Sequence, residues 1–160
     1  MKGRYDQMAL REILKDGDET LRKTSRAVEK IDARVIELLD DMADTMYEAH
    51  GIGIAAPQVG VLKRIFVVDI GDGSGLFEFI DPFFLRKEGS QICQEGCLSI
   101  PGVWGNVERP EVVEIQATDR YGQTFSIQGE GLMAVCLCHE YDHLEGILFK
   151  DKVRGELVQQ

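Results

Sequence analysis

The sequence predicts an α+β domain in which helices are separated by blocks of antiparallel strand, and three features carry that prediction. One stretch repeats apolar residues at three- and four-residue spacing. Two pairs of β-branched and aromatic runs are each joined by turn-forming residues. A second helical stretch opens with seven consecutive apolar residues. No internal repeat, low-complexity tract or proline-rich linker divides the 160 residues, so the whole chain, 1–160, reads as a single domain.

From Asp32 to about Glu48, residues Val35, Leu38, Leu39, Met42 and Met46 fall on one face of an amphipathic helix near the N-terminus. Asp32 is placed to cap it, Ile31 and Ile36 to staple its entry, and His50 and Gly51 to end it. Arg64 to Ile70 and Phe77 to Ile80 read as strands joined by the turn from Gly71 to Gly75, which makes a hairpin. Val112 to Thr118 and Gln123 to Gln128 form a second pair connected through Asp119 to Gly122. Glu130 to about Glu145 is the second long helix, and the apolar run Leu132 to Cys138 predicts that its first half is buried on every side.

The charge balance limits the partners. With 18 basic and 28 acidic residues and a formal charge of −10, the chain lacks the clustered cations that stable nucleic-acid binding draws on. Room remains for no more than a transient encounter with RNA. Met1 to Asp18 contains no apolar export or organelle signal, and no stretch approaches the roughly 18 to 20 apolar residues of a membrane helix, so the expectation is a cytoplasmic protein with no membrane contact. In that setting Cys93, Cys97, Cys136 and Cys138 are expected as reduced thiols or metal ligands. Their spacing does not match the paired Cys-x2-Cys of four-cysteine zinc sites.

Chemistry concentrates in His139-Glu140-Tyr141-Asp142-His143. Four-residue spacing on a helix puts both imidazoles on one face, where two ligands meet one metal, and Glu140 can reach a metal-bound water as a general base. Ordinary surface polarity is the bland alternative, but four polar groups directly after a buried half-helix would cost several kcal/mol without a metal or tight hydrogen bonding. Metallopeptidases with this pattern find a third ligand downstream. Here Gly146 is present, but Phe149 occupies the ligand position, and Glu156 is the sole candidate beyond Glu145. The third ligand is therefore expected upstream, where Cys97 sits in the glycine-containing turn Glu95-Gly96-Cys97-Leu98-Ser99-Ile100-Pro101. Cys93 and Cys136 are expected as small buried apolar residues. The segment Gly51 to Gly60 lacks a phosphate-loop pattern and reads as a tight helix-to-strand connection, with Gln58 its notable polar group.

Together, Gly51-Ile52-Gly53-Ile54-Ala55-Ala56-Pro57-Gln58, Glu95-Gly96-Cys97-Leu98-Ser99 and His139-Glu140-x-Asp142-His143 resemble the three signature motifs of the peptide deformylases, in order, and the similarity extends from about Ile13 to Asp151. The resemblance implies an α+β fold with antiparallel β-sheets packed around a central buried helix carrying the HExxH motif. It implies removal of the N-formyl group from formyl-methionine of newly synthesised peptides, with release of formate. One divalent metal ion would be held by Cys97, His139 and His143, with Fe(II) in the cell and zinc, nickel or cobalt as substitutes. Glu140 would be the general base, and Gln58 with the Leu98 backbone N–H would stabilise the oxyanion. Gly53 would align the peptide, and Ile52, Val135, Cys136 and His139 would line the methionine pocket. Partners would be N-formyl-methionyl nascent peptides, with a transient ribosome encounter.

Three positions depart from the family pattern. Cys138 stands where glutamine usually precedes the first metal-binding histidine, which implies a lost hydrogen bond around the ligands. The early Leu21-Arg22 pair lacks the proline that commonly precedes it, and the sequence ends soon after Asp151 without the long C-terminal helix of many bacterial-type members.

Overall fold

A computed structural model describes residues 9–159; the first eight residues of the segment read for export signals lie outside the described residues. Helix α1 spans Ala33–Glu48, and the Asp32 side chain accepts hydrogen bonds from the N–H groups of Arg34 and Val35, satisfying donors that the helix leaves open. Ile31 and Ile36 are both half-buried and pack with the α1 core cluster. Strands β1 (Gly53–Ala55), β2 (Ile65–Val68), β3 (Phe77–Glu88), β6 (Val112–Thr118) and β7 (Thr124–Glu130) form a sheet in the order β1-β2-β3-β6-β7, with every neighbouring pair antiparallel. Helix α2 spans Leu132–Leu144.

Strand β2 shows why this sheet sits at the centre. Its four residues, Ile65-Phe66-Val67-Val68, are all buried, because alternate side chains point to opposite faces and both faces are covered. Phe66 and Val68 pack with Phe79, Val113 and Ile115 against Ala134 and Leu137 of α2. Ile65 and Val67 pack with Ile54 and Ile80 against Val35, Leu39, Met42 and Met46 of α1. Each such large apolar side chain contributes roughly 1.5 to 3 kcal/mol relative to exposure, which is why both helices are held at fixed positions on the sheet.

A second sheet, β4 (Gln91–Cys97), β5 (Ile100–Arg109) and β8 (Val153–Gln159), runs antiparallel in the order β4-β5-β8 and covers a third apolar cluster of Leu21, Ile100, Val107, Leu148 and Phe149. The expected hairpins over residues 64–80 and 112–128 are present, whereas these three strands had no counterpart in the sequence reading. Cys97, expected in a turn, is the last residue of β4. It pairs with Ile100 after a register shift at Glu95, so the turn is only Leu98-Ser99. The signal is weak because β4 is mostly polar and β5 contains Pro101, Gly102 and Gly105, which argue against a strand. Strand β3 also runs past Ile80 to Glu88. Asp81 has φ 50 and the pairing with β6 shifts between Ile80 and Phe83, so a bulge absorbs Pro82. Among the described residues no helix is long and apolar enough to cross a membrane.

Candidate metal centre and substrate cleft

The apolar half of α2 is anchored beneath the large sheet, which leaves its last turns to present His139, Glu140 and His143 toward β4. There the ligand atoms of Cys97, His139 and His143 lie within 4.8 Å of one another, and Cys97 Sγ is 3.4 Å from His143 Nε2. A tetrahedral shell with a metal–sulfur bond of about 2.3 Å and a metal–nitrogen bond of about 2.1 Å separates sulfur and nitrogen by about 3.6 Å. The Cys97–His143 spacing fits such a shell, and the thiol and two imidazoles could together hold one ion.

His139 is oriented from behind. Its Nδ1 lies 2.8 Å from Glu95 Oε1, which favours a proton on Nδ1 and turns Nε2 toward the other donors. Arg109 in turn grips Glu95 with two bonds, Nε to Oε2 at 2.7 Å and Nη2 to Oε1 at 2.9 Å, and donates from Nη1 to Asp142 Oδ2 at 2.7 Å. Lys152 reaches the other Asp142 oxygen at 3.2 Å. The Arg109 and Glu95 side chains are each only 3% exposed, so this is a buried, fully engaged pair and not a surface contact. Burial raises the Glu95 pKa, but the hydrogen bonds from Arg109 and His139 outweigh it and hold the carboxyl below its usual range.

The two histidines differ in their electrostatic surroundings. Burial lowers His139, yet Glu140, Cys97 and Glu95 override it and raise its pKa above the ordinary histidine value. Burial lowers His143, and the neighbouring His139 lowers it further. His143 Nδ1 is buried with no hydrogen-bond partner among the described residues. The imidazole next to Cys138 is thus the better-held of the two. Cys138 packs into the apolar cluster beneath the sheet, while Glu95 supplies the bond that orients His139.

Glu140 is 5% exposed, and its Oε1 has no hydrogen-bond partner among the described residues. Burial pushes its pKa up to about 7, against the opposing effect of His139. A carboxyl titrating there is suited to taking and returning a proton. Its other oxygen lies against Gly53, where a Cβ would come within 2.5 Å of Oε2, so the glycine makes room for the acid.

Gln58 is buried on the 3-10 turn Ala56–Val59 that follows β1. Its Oε1 accepts from Ala55 N at 2.9 Å, which fixes the amide and points Nε2 at Ser99 Oγ, 3.1 Å away, and at Cys97 Sγ, 3.6 Å away. The segment read as a tight connection is therefore one wall of the site. Leu98 is half-buried against the α1 cluster and touches Gly51, where a Cβ would fall 2.7 Å from Leu98 Cδ1.

All the candidate residues except His143 border one cleft of about 460 Å³: Cys97, His139, Glu140, Gln58, Leu98 and Gly53 at its reacting end, with Ile52, Val135 and Cys136 along its walls. His143, 1% exposed, sits behind the cleft. Ile52 is 40% exposed at the mouth, while Val135 and Cys136 are buried. Cys93 is a correction. Expected to be buried, it is half-buried and also faces this cleft, because β4 borders the cleft instead of crossing the core. Burial, then Glu95, raises its thiol pKa.

Sequence reasoning gave no role to Glu95, Arg109 and Asp142. A signal was available, since Val107 and Arg109 share the inward register of one strand, and a cation in an apolar register requires buried anions.

Residues 10–158 match the protein family described as Polypeptide deformylase. The chain is 59% identical over 146 residues to a peptide deformylase of Caldicellulosiruptor bescii, covering 91% of this chain and 87% of that protein. It is 54% identical over 149 residues to one of Alkaliphilus metalliredigens, covering 93% and 100%. The fold superposes on the crystal structure of a peptide deformylase from Legionella pneumophila with a TM-score of 0.88 at 46% identity, covering 91% of this chain and 87% of that one. A Synechococcus elongatus peptide deformylase in complex with actinonin gives 0.86 at 42%, covering 90% and 80%. The chain belongs to the polypeptide deformylase family.

Proposed function

We propose that the cleft is where this deformylase takes the N-formyl group from the terminal formyl-methionine of newly synthesised peptides. Cys97, His139 and His143 would hold one divalent ion there, and residues 1–160 would act as one catalytic domain built around the motif helix. The observation that supports this reading most is the convergence of one thiol, one imidazole and a buried carboxyl on a single cleft, with the second imidazole of the donor set directly behind it.

The bound ion supplies Lewis acidity, lowering the pKa of a water and polarising the formyl carbonyl. Glu140 takes the proton as the water oxygen bonds to the formyl carbon, and returns it to the amine nitrogen as the C–N bond breaks, leaving formate and a free N-terminus. Gln58, its carbonyl oxygen committed to Ala55 and one N–H to Ser99, would turn the N–H that faces Cys97 Sγ toward the charge growing on the formyl oxygen, and the Leu98 backbone N–H is the second donor. Gly53 lends its backbone to an extended peptide, while Ile52, Val135 and Cys136 form the apolar slot for methionine. Glu95 holds His139 in the tautomer that coordinates.

A thiolate with two imidazoles accepts several divalent ions, and Fe(II) is the ion proposed for the cell, with zinc, nickel or cobalt as replacements. The acidic surface fits a cytoplasmic enzyme that meets the ribosome only transiently and does not bind nucleic acid stably. Anaerobic purification with metal quantification, followed by formate release from formyl-, acetyl- and unmodified methionyl peptides, tests the whole reading. About one ion per chain and formate from the formyl peptide alone are expected. Equal cleavage of the acetyl peptide would refute it.

A further inference from the structure

The chain from Arg11 to Lys15 forms neither helix nor strand, and a segment without a hydrogen-bond ladder of its own keeps one path only where its neighbours hold it. Here they hold it at both ends. Arg11 donates from its backbone N–H to Thr45 Oγ1 at 3.0 Å and from Nε to Asp41 Oδ2 at 2.9 Å, both on α1. Asp16 pairs with Lys150 on the 3-10 turn Phe149–Lys152, whose Phe149 belongs to the small-sheet cluster. Between these anchors Ile13 packs with the α1 cluster and Leu14 with the small-sheet cluster, against which Cys97 also packs. The segment is a strap across the seam between the two sheets.

Two of its N–H groups go to the walls of the site. Leu14 donates to Gln58 O at 2.7 Å, and Asp16 donates to Ser99 O at 2.9 Å. Gln58 Nε2 in turn donates to Ser99 Oγ at 3.1 Å. The carbonyls that the strap grips therefore belong to Gln58 and to the Leu98-Ser99 turn, which carry the two donors assigned to the formyl oxygen. Gln58 follows β1 of the large sheet and Leu98-Ser99 joins β4 to β5 of the small one, so nothing within a single sheet sets their spacing. Donors to a developing oxyanion lower the barrier only when they are fixed before the charge appears. We propose that Leu14 and Asp16 are positioning residues whose backbone N–H groups clamp Gln58 and the Leu98-Ser99 turn at the spacing the oxyanion needs. This rests on the deformylase reading.

Asp16 is the first central residue of a turn closed by the Asp18 N–H on Lys15 O, with Gly17 at φ 104 following it, a place where proline is favoured. Asp16→Pro therefore keeps the turn and deletes the N–H to Ser99. Its kcat for formyl-Met-Ala-Ser should fall roughly 10- to 100-fold with KM unchanged and metal content as in wild type, the cost of a displaced group at the reacting centre. Lys150→Ala, which removes the ion pair and leaves both N–H bonds, should stay within about threefold of wild type. In a Gln58→Ala background, Asp16→Pro should cost less than about threefold, because one of the two donors whose spacing it sets is gone; a merely structural defect would cost the same in both backgrounds. Gly17→Ala serves if Asp16→Pro fails to fold: its Cβ meets nothing within 4 Å, so it disturbs only the left-handed backbone of the turn, and it should show the same split with a smaller loss. A kcat within threefold of wild type in Asp16→Pro, a loss carried by KM, or an equal loss in the Gln58→Ala background overturns the assignment. Absence of formate from the wild type would instead count against the deformylase reading. Amide hydrogen exchange over residues 55–60 and 97–100, expected to quicken in Asp16→Pro, would then still decide whether the strap holds both turns, and exchange equal to wild type would refute it.

Discussion

Replacing Gly53 by alanine should damage the chemical step while leaving the metal in place. Gly53 is in β1, paired with Val68, and its φ is not in the left-handed region, so the backbone itself accepts alanine. The new Cβ would stand 2.5 Å from Glu140 Oε2 and 3.0 Å from both Cδ and Cγ. An ordinary carbon–oxygen contact is about 3.3 Å, so the carboxylate must retreat by about 0.8 Å, and it does so among buried neighbours. Misplacement of a reacting group by about 1 Å costs on the order of 100-fold, and the expected loss in kcat is roughly 30- to 100-fold. The backbone groups proposed to align the peptide are unchanged, so KM should move much less. Steady-state formate release over a range of formyl-Met-Ala-Ser concentrations, with metal content measured on the same sample, separates the two parameters. A kcat within threefold of wild type at one ion per chain would show that Glu140 is not confined by this contact.

Other perturbations separate the remaining roles. Glu140→Ala should keep the ion and lose roughly 100- to 10,000-fold in formate release, whereas Cys97→Ala should lose both; metal analysis beside the activity assay distinguishes them. Chelation should abolish formate release and lower the Tm, both restored by Fe(II) or Zn(II) under anaerobic conditions, since an ion bound only by the folded chain stabilises it by mass action. Arg109→Ala would leave two buried carboxylates under-partnered, Glu95 with only His139 and Asp142 with only Lys152. About 3 to 5 kcal/mol of stability should go with it, seen as a Tm drop of roughly 6 to 20 °C by calorimetry. A variant that unfolds like wild type would mean that these acids find other partners.

What was legible in the sequence was what local periodicity writes there. The spacing of Val35, Leu38, Leu39, Met42 and Met46 corresponds to the side chains buried in α1, and the run Ile65 to Val68 to a strand covered on both faces. The candidate metal ligands were legible because two of them sit four residues apart and the third is a cysteine beside glycine. The small sheet was not, because its strands are written in weak letters. Strand β4 carries Gln91, Gln94 and Glu95, β5 is broken by Pro101, Gly102 and Gly105, and β8 is largely exposed, so none shows clean alternation. These strands are specified by pairing across the sheet and by the Leu21, Ile100, Val107, Leu148 and Phe149 cluster, which are long-range facts. The bond that orients His139 was hidden for the same reason, since Glu95 is 44 residues away.

That distance explains how a precise site arises between two sheets that do not share a core. Cys97 belongs to the small sheet and the histidines to a helix packed on the large one, so the three donors meet only if the seam between them has one geometry. Apolar packing alone tolerates sliding when volume is conserved. Directional charge-assisted bonds do not, and Arg109 supplies them: from β5 it holds Glu95 on β4 with a two-point grip and Asp142 on α2 with a third bond. The two anchored residues are neighbours of the donors, Glu95 two residues before Cys97 and Asp142 one before His143. A shift of either element would therefore break a buried charge contact before it moved a ligand far. If Arg109 sets the seam in this way, Arg109→Lys, which keeps the charge and loses the fork, should weaken metal retention by roughly 10- to 100-fold while lowering stability less than Arg109→Ala does. Competition with a chelator of known affinity measures the first and urea unfolding the second. Metal retention equal to wild type in Arg109→Lys would reduce the guanidinium to a buried counter-charge with no part in placing the ligands.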